Sequence, residues 1–210
     1  MKFLGYDRVL CLSPHPDDVE YSMSATILKY KDTKFDVFTL TNGTSADDSS
    51  GEWRYDEVRS FWSDMLTSNV KLFFGSHSFE ELNEGQWIGY IEDKFKGIEY
   101  DAIFATSNLD SHYEHLLVNR LMIGIGRNKP ISLIEYKSPS TLHKWEPNLF
   151  VNINHYYEFK GKLLRDNFST QTDAIYFSKE CIKLFHEDYI NKKKGIDYIE
   201  SFNVKSLIIK

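Results

Sequence analysis

Leu12-Ser13-Pro14-His15-Pro16-Asp17-Asp18-Val19-Glu20 lies between an apolar run, residues 8–12, and a stretch with helical spacing, residues 19–30. Where a chain turns from strand into helix, an imidazole and a carboxylate three positions apart can reach one cation, and His15 and Asp18 have that spacing. Asp17 stands between them. A carboxylate held beside a metal without binding it can take a proton from metal-bound water, so the loop supplies half of a hydrolytic site. The plainer alternative is a stiff proline turn in which Asp18 caps the following helix.

The remaining donors come about a hundred residues later. Asp110-Ser111-His112-Tyr113-Glu114-His115 also follows an apolar run, 102–105, and precedes a helix-like one, 116–125. His115 is the natural third metal ligand. His112 is either a fourth ligand or a free donor to the oxygen that turns negative in a tetrahedral intermediate. Both His/carboxylate clusters occupy the same topological position, after a strand and before a helix.

These residues resemble the PIG-L or LmbE-like family of zinc-dependent de-N-acetylases, which act on sugars of the N-acetylglucosamine type. The family's His-Pro-Asp-Asp-x-Glu is matched by residues 15–20, and its His-Pro-Asp-His loosely by His112-Tyr113-Glu114-His115. Weaker matches are Leu40-Thr41-Asn42-Gly43, Arg54 with Glu57, and Tyr198-Ile199-Glu200-Ser201-Phe202. Two departures stand out: Ser22-Met23-Ser24-Ala25 replaces a Gly-rich helix start, and Glu114 replaces Asp. The resemblance implies a metal held by His15, Asp18 and His115, with Asp17 as general base and His112 stabilising the oxyanion. Zn²⁺ is the implied ion, with Fe²⁺ or another divalent metal as substitutes. The implied activity is removal of an N-acetyl group from an amino sugar or its conjugate. Within the family, deacetylation of N-acetylglucosaminyl malate in low-molecular-weight thiol biosynthesis is the alternative.

Apolar runs at 9–12, 35–40, 70–74, 102–105, 131–134 and 150–153 read as buried strands. Helix-like spacing covers 19–31, 53–66, 86–95, 115–127, 155–167 and 175–194. Their alternation predicts an α/β protein: a three-layer Rossmann-like fold with a mostly parallel sheet, in one domain over 1–210. Ligands of such sheets bind beyond the carboxyl ends of the strands, and the loops 15–18, 41–53 and 107–115 open there, with Arg54 just after the second. The polar stretch 44–52 is by default a bare surface loop, and by its place on the active edge a candidate lid over the metal. Arg54 could grip substrate oxygens or pair with Glu57 on its own helix. Trp145 could stack on a sugar face or plug its loop into the core.

With 25 basic and 31 acidic residues the net charge is −6, and the densest basic run is Lys192-Lys193-Lys194, so nucleic acid is not an expected partner. That run reads as a helix end, stopped by Gly195. Cys11 and Cys181 alone make no disulfide framework and suit a reducing, cytoplasmic setting. Asp7 and Arg8 interrupt the first apolar residues, and no run reaches the ~20 residues of a membrane span. The expected partner is a small-molecule or glycan amino-sugar substrate; homo-oligomerisation is left open. A nucleotide-binding Rossmann module is disfavoured because the first turn lacks Gly-x-Gly-x-x-Gly and puts Asp17 and Asp18 where phosphates would sit. A metal-binding domain without turnover is the third class.

Overall fold

The computed structural model describes residues 1–43, 51–189 and 191–208. Most of the expected lid, 44–50, lies outside the described residues. In chain order the elements are β1 (Arg8–Ser13), α1 (Asp18–Lys29), β2 (Lys34–Thr39), α2 (Gly51–Asp64), β3 (Val70–Phe74), α3 (Glu84–Lys94) and β4 (Ala102–Thr106), then α4 (Tyr113–Gly126), β5 (Ser132–Tyr136), β6 (Leu149–Asn152), α5 (Asn154–Asn167), α6 (Lys179–His186) and β7 (Ile199–Ser206).

The strands form one sheet in the order β3-β2-β1-β4-β5-β7-β6. The first five pair in parallel, while β7 runs antiparallel between β5 and β6. Side chains alternate across each strand. Val9 and Cys11 join one core with α1, α2, α5 and α6, and Leu10 and Leu12 join a second core with α3 and α4. This is the three-layer α/β arrangement, and β1 is the middle one of the five parallel strands, with β2 on one side and β4 on the other. The chain winds outward from β1 in one direction and then returns to start β4 in the other. The crevice between their carboxyl ends is therefore the topological switch point, where such sheets bind ligands.

Two expectations need correction. The six apolar runs omit β7, because this strand buries Glu200 as well as Phe202 and so breaks the apolar pattern. The helix expected over 175–194 is helical only at Lys179–His186; Glu187 turns extended and bridges to Tyr198, so pairing with the start of β7 overrides the helical spacing. Lys192–Lys194 form a single 3₁₀ turn, ended by Gly195 at φ +76°.

Helix α1 is buried from Asp18 to Leu28. Ser22, Met23, Ser24 and Ala25 are all at most 3% exposed, so the helix packs closely without the glycines common in the family. Among the described residues no helix is long and apolar enough to cross a membrane.

Candidate active site

Strand β1 ends at Ser13, whose hydroxyl donates to the His15 carbonyl (2.8 Å) and accepts from the Val19 N–H (3.3 Å), tying the proline turn across itself. The His15 N–H donates to Asp18 Oδ2 (2.9 Å), which orients that carboxylate toward the loop. Asp17, the N-cap of α1, has φ +119° and ψ −27°. Such left-handed backbone costs a non-glycine residue about 1–3 kcal/mol and is held only where surrounding contacts demand it. Here they do. The Asp17 N–H donates to Glu20 (3.3 Å), Glu20 accepts from the Trp62 indole (2.6 Å), and Arg54 Nη2 sits 3.3 Å from Asp17 Oδ2.

The second loop comes off β4. His112 caps α4, with Nδ1 accepting from the Glu114 N–H at 3.3 Å. One helical turn on, His115 Nε2 lies 3.4 Å from Asp18 Oδ1, and His15 Nδ1 lies 3.4 Å from Asp18 Oδ2. Donor atoms of His15, Asp18 and His115 all fall within 4.8 Å of one another. Each imidazole has a carboxylate on its other nitrogen: Glu114 contacts His15 Nε2, and Asp110 Oδ2 lies 3.1 Å from His115 Nδ1. Asp110 is in turn gripped by Ser138 and Ser140.

Two imidazoles and a carboxylate, each ring steered by an outer carboxylate so that its inner nitrogen keeps a lone pair, are the donor set that suits Zn²⁺ or Fe²⁺ with coordination positions to spare. The residues fit such an ion.

Electrostatics follow from crowding charge in a buried place. Burial opposes protonation of His15, but hydrogen bonds and charge from Asp18 and Glu114 outweigh it and raise the pKa to about 9. Burial and the adjacent Asp18 push Asp17 up to about 8, against the pull of Arg54 and His15. Burial would raise Asp18 too, yet the His115 and His15 rings hold it below the usual carboxylate range. Burial and the charges of His15 and His115 lower His112, leaving it neutral near pH 7.

These groups line one side of a pocket of about 460 Å³. His112 stacks on His115 with ring centroids 4.8 Å apart and meets His15 at 5.0 Å. Arg54 also lines it, but without the expected Glu57 partner: Glu57 is bonded to Ser169 and Thr170, and the Arg54 fork donates to Pro16 O (2.9 Å) and Gly43 O (3.2 Å) as well as to Asp17. Trp145 is not brought to the pocket. It is 7% exposed and its indole N–H points at Glu135 (3.4 Å), so it plugs the loop after β5 into the core. The far wall comes from two 3₁₀ turns, Ser169–Gln171 and Ile175–Phe177, which bring Gln171, Ile175 and Tyr176. Sequence reasoning missed that wall and the roles of Asp110 and Glu114. A carboxylate within a few residues of each candidate histidine was the available signal for the latter pair; the wall offered none.

The fold and donors define a class: a doubly wound α/β protein with a metal-type His/Asp site at its switch point. Residues 10–125, more than half of the chain, match the PIG-L family, GlcNAc-PI de-N-acetylase. The chain belongs to this family. No individual curated protein is matched by the sequence. Among solved structures it resembles N,N'-diacetylchitobiose deacetylase from Pyrococcus horikoshii, with TM-score 0.76 and 20% identity over 96% of this chain and 84% of that one. It also resembles the zinc-inhibited form of teicoplanin deacetylase Orf2, with TM-score 0.71 and 12% identity over 93% and 96%. The 4-carboxy-2-hydroxymuconate hydratase GalB from Pseudomonas putida KT2440 has the same fold, with TM-score 0.70 and 14% identity over 100% and 98%. At these identities the likeness is one of fold.

Proposed function

We propose that the protein is a metal-dependent hydrolase that removes the N-acetyl group from an amino sugar or its conjugate. The convergence of His15, Asp18 and His115 within 4.8 Å carries this reading. The three would hold Zn²⁺, or Fe²⁺ in its place. When bound, the ion polarises the amide carbonyl, brings the pKa of water toward neutrality and, by its charge, draws the Asp17 carboxyl down into its ionised form.

The chain's own residues supply the rest. Asp17 lies beside the donor set and outside it, so its carboxylate is free to accept the proton of the attacking water and pass it to the departing amine. Acetate and a free amino sugar result. Arg54 keeps Asp17 in place. His112 is neutral, and because its Nδ1 accepts from the Glu114 N–H, its proton sits on Nε2. That is the tautomer needed to donate to the carbonyl oxygen as negative charge develops there. A reducing cell interior suits the two free cysteines.

Metal analysis of the purified protein, combined with an amine-release assay over N-acetyl sugars, tests the proposal. One divalent ion per chain with metal-dependent amine release is the expected result. Bound metal without amine release would sink the enzymatic reading, and amine release distinguishes it from a hydratase, which frees none.

A further inference from the structure

The charge around the pocket restricts what it accepts, given the de-N-acetylase reading above. Three carboxylates line it, those of Asp17, Asp18 and Glu114. Against them stand Arg54 and one divalent cation, which together only balance them. Arg54 is also the sole Lys or Arg among the described lining residues, and it is held in place by Gly43 O, Pro16 O and Asp17, with its Nε buried.

The opposite wall is neutral and rigidly built. Glu57 on α2 accepts from Ser169 Oγ (2.7 Å), Thr170 N (2.7 Å) and Thr170 Oγ1 (2.6 Å), and the Tyr21 hydroxyl donates to Tyr176 O (2.7 Å). The wall is thereby fastened to the same helices that carry Arg54 and Asp18. Within it the Tyr176 hydroxyl donates to Gln171 Oε1 (2.9 Å), fixing the amide. Ile175, 79% exposed, forms the rim. Beyond that ridge a separate groove holds Arg165, in company with Asp173.

We infer that the substrate is an electrically neutral N-acetyl glycoside, with no phosphate or carboxylate next to the sugar ring, and that the Gln171–Ile175–Tyr176 wall selects it. Beside this wall an anion would find no Lys or Arg among the described lining residues except Arg54, which is held on Asp17 and two carbonyls, so desolvating it there is unfavourable. The wall's fixed amide and phenol instead match sugar hydroxyls. Sugar phosphates and N-acetylglucosaminyl malate are thereby disfavoured.

The test compares kcat/KM of the metal-loaded protein, at low ionic strength, for the methyl glycoside of N-acetylglucosamine, its 1-phosphate and its malate conjugate. The neutral glycoside should exceed both anions by about tenfold or more, the scale of leaving an anion desolvated without a partner. Ile175→Arg, on an exposed side chain, should raise the ratio of 1-phosphate to methyl glycoside by about tenfold, the scale of one charge-assisted hydrogen bond. Gln171→Ala should raise KM for the methyl glycoside more than it lowers kcat. Equal or better use of the anions by the wild type overturns the inference while leaving the de-N-acetylase reading intact, and an unmoved ratio in Ile175→Arg overturns the role of the wall. No hydrolysis of any member overturns both.

Discussion

Arg54 Nη2 lies 3.3 Å from Asp17 Oδ2, with both side chains about 10% exposed. The contact joins α2 to the strained residue that opens α1, and two carbonyl acceptors fix the rest of the fork. Arg54→Met should therefore keep the metal and lose rate, because Asp17 is freed to leave its strained position. A fall of roughly 10²-fold in kcat is the scale for a misplaced catalytic group. Arg54→Lys, with charge but no planar fork, should recover only part of it. Loss of metal from Arg54→Met, by elemental analysis, would reassign the residue to the binding of the ion.

In the proposed reaction Asp17 and Asp18, neighbours in sequence, have separate tasks, and substitution to Asn separates them. Asp17→Asn should retain metal and lose about 10²–10⁴ in rate, the usual worth of a positioned acid or base. Asp18→Asn weakens the ion's own site, so excess zinc should restore part of its activity. Rescue of Asp17→Asn by metal would contradict the division.

Metal loading should depend on pH with a definite sign. In the metal-free protein His15 is protonated below about 9, and the ion needs its lone pair, so each bound ion displaces a proton throughout the neutral range. Apparent affinity should rise as pH rises between about pH 6.5 and 8, by about tenfold per unit for each displaced proton, that of His15 and that of the Asp17 carboxyl which the ion's charge ionises. Chelator competition across that range measures it; a flat profile would refute the coupling.

Lys160 and Glu200 form an ion pair that is at most 1% exposed, and Glu200 also accepts from the Ala25 and Thr26 N–H groups in the middle of α1. Glu200→Gln removes the carboxylate paired with the Lys160 amine and should destabilise by about 3–5 kcal/mol, the cost of leaving a buried charge unpaired. At roughly 2–4 °C per kcal/mol for a chain this size, thermal unfolding should show a drop of roughly 6–20 °C. Trp145→Ala should act on stability in the same way and leave KM alone, since the indole is in the core.

Much of this was local enough to be legible in one dimension. A strand, a proline turn and a helix start put His15 three residues from Asp18, and continuous apolar runs marked six of the seven strands while 3.6-residue spacing marked the first five helices. The same alternation placed the loops of His15 and His115 at one edge of the sheet before any coordinates did, because parallel strands linked by helices all end on the same side.

What only the tertiary structure decided depends on contacts between residues far apart in sequence. Strand β7 is invisible to an apolar scan because Glu200, buried against Lys160, stands where the pattern wants a hydrophobe. Spacing offered Arg54 an ion pair with Glu57, but the fold turns it 37 positions back to Asp17 and gives Glu57 to Thr170 instead. Trp145 faced two fates of equal local merit until Glu135 and the core took it. Glu114 on His15 and Asp110 on His115 set which ring nitrogen is free for a metal, and two 3₁₀ turns bring Gln171 and Tyr176 into the lining of the pocket. Helical and strand periodicity report which face of an element is buried, whereas side-chain partners are chosen by three-dimensional proximity, which the order of residues along the chain does not encode locally.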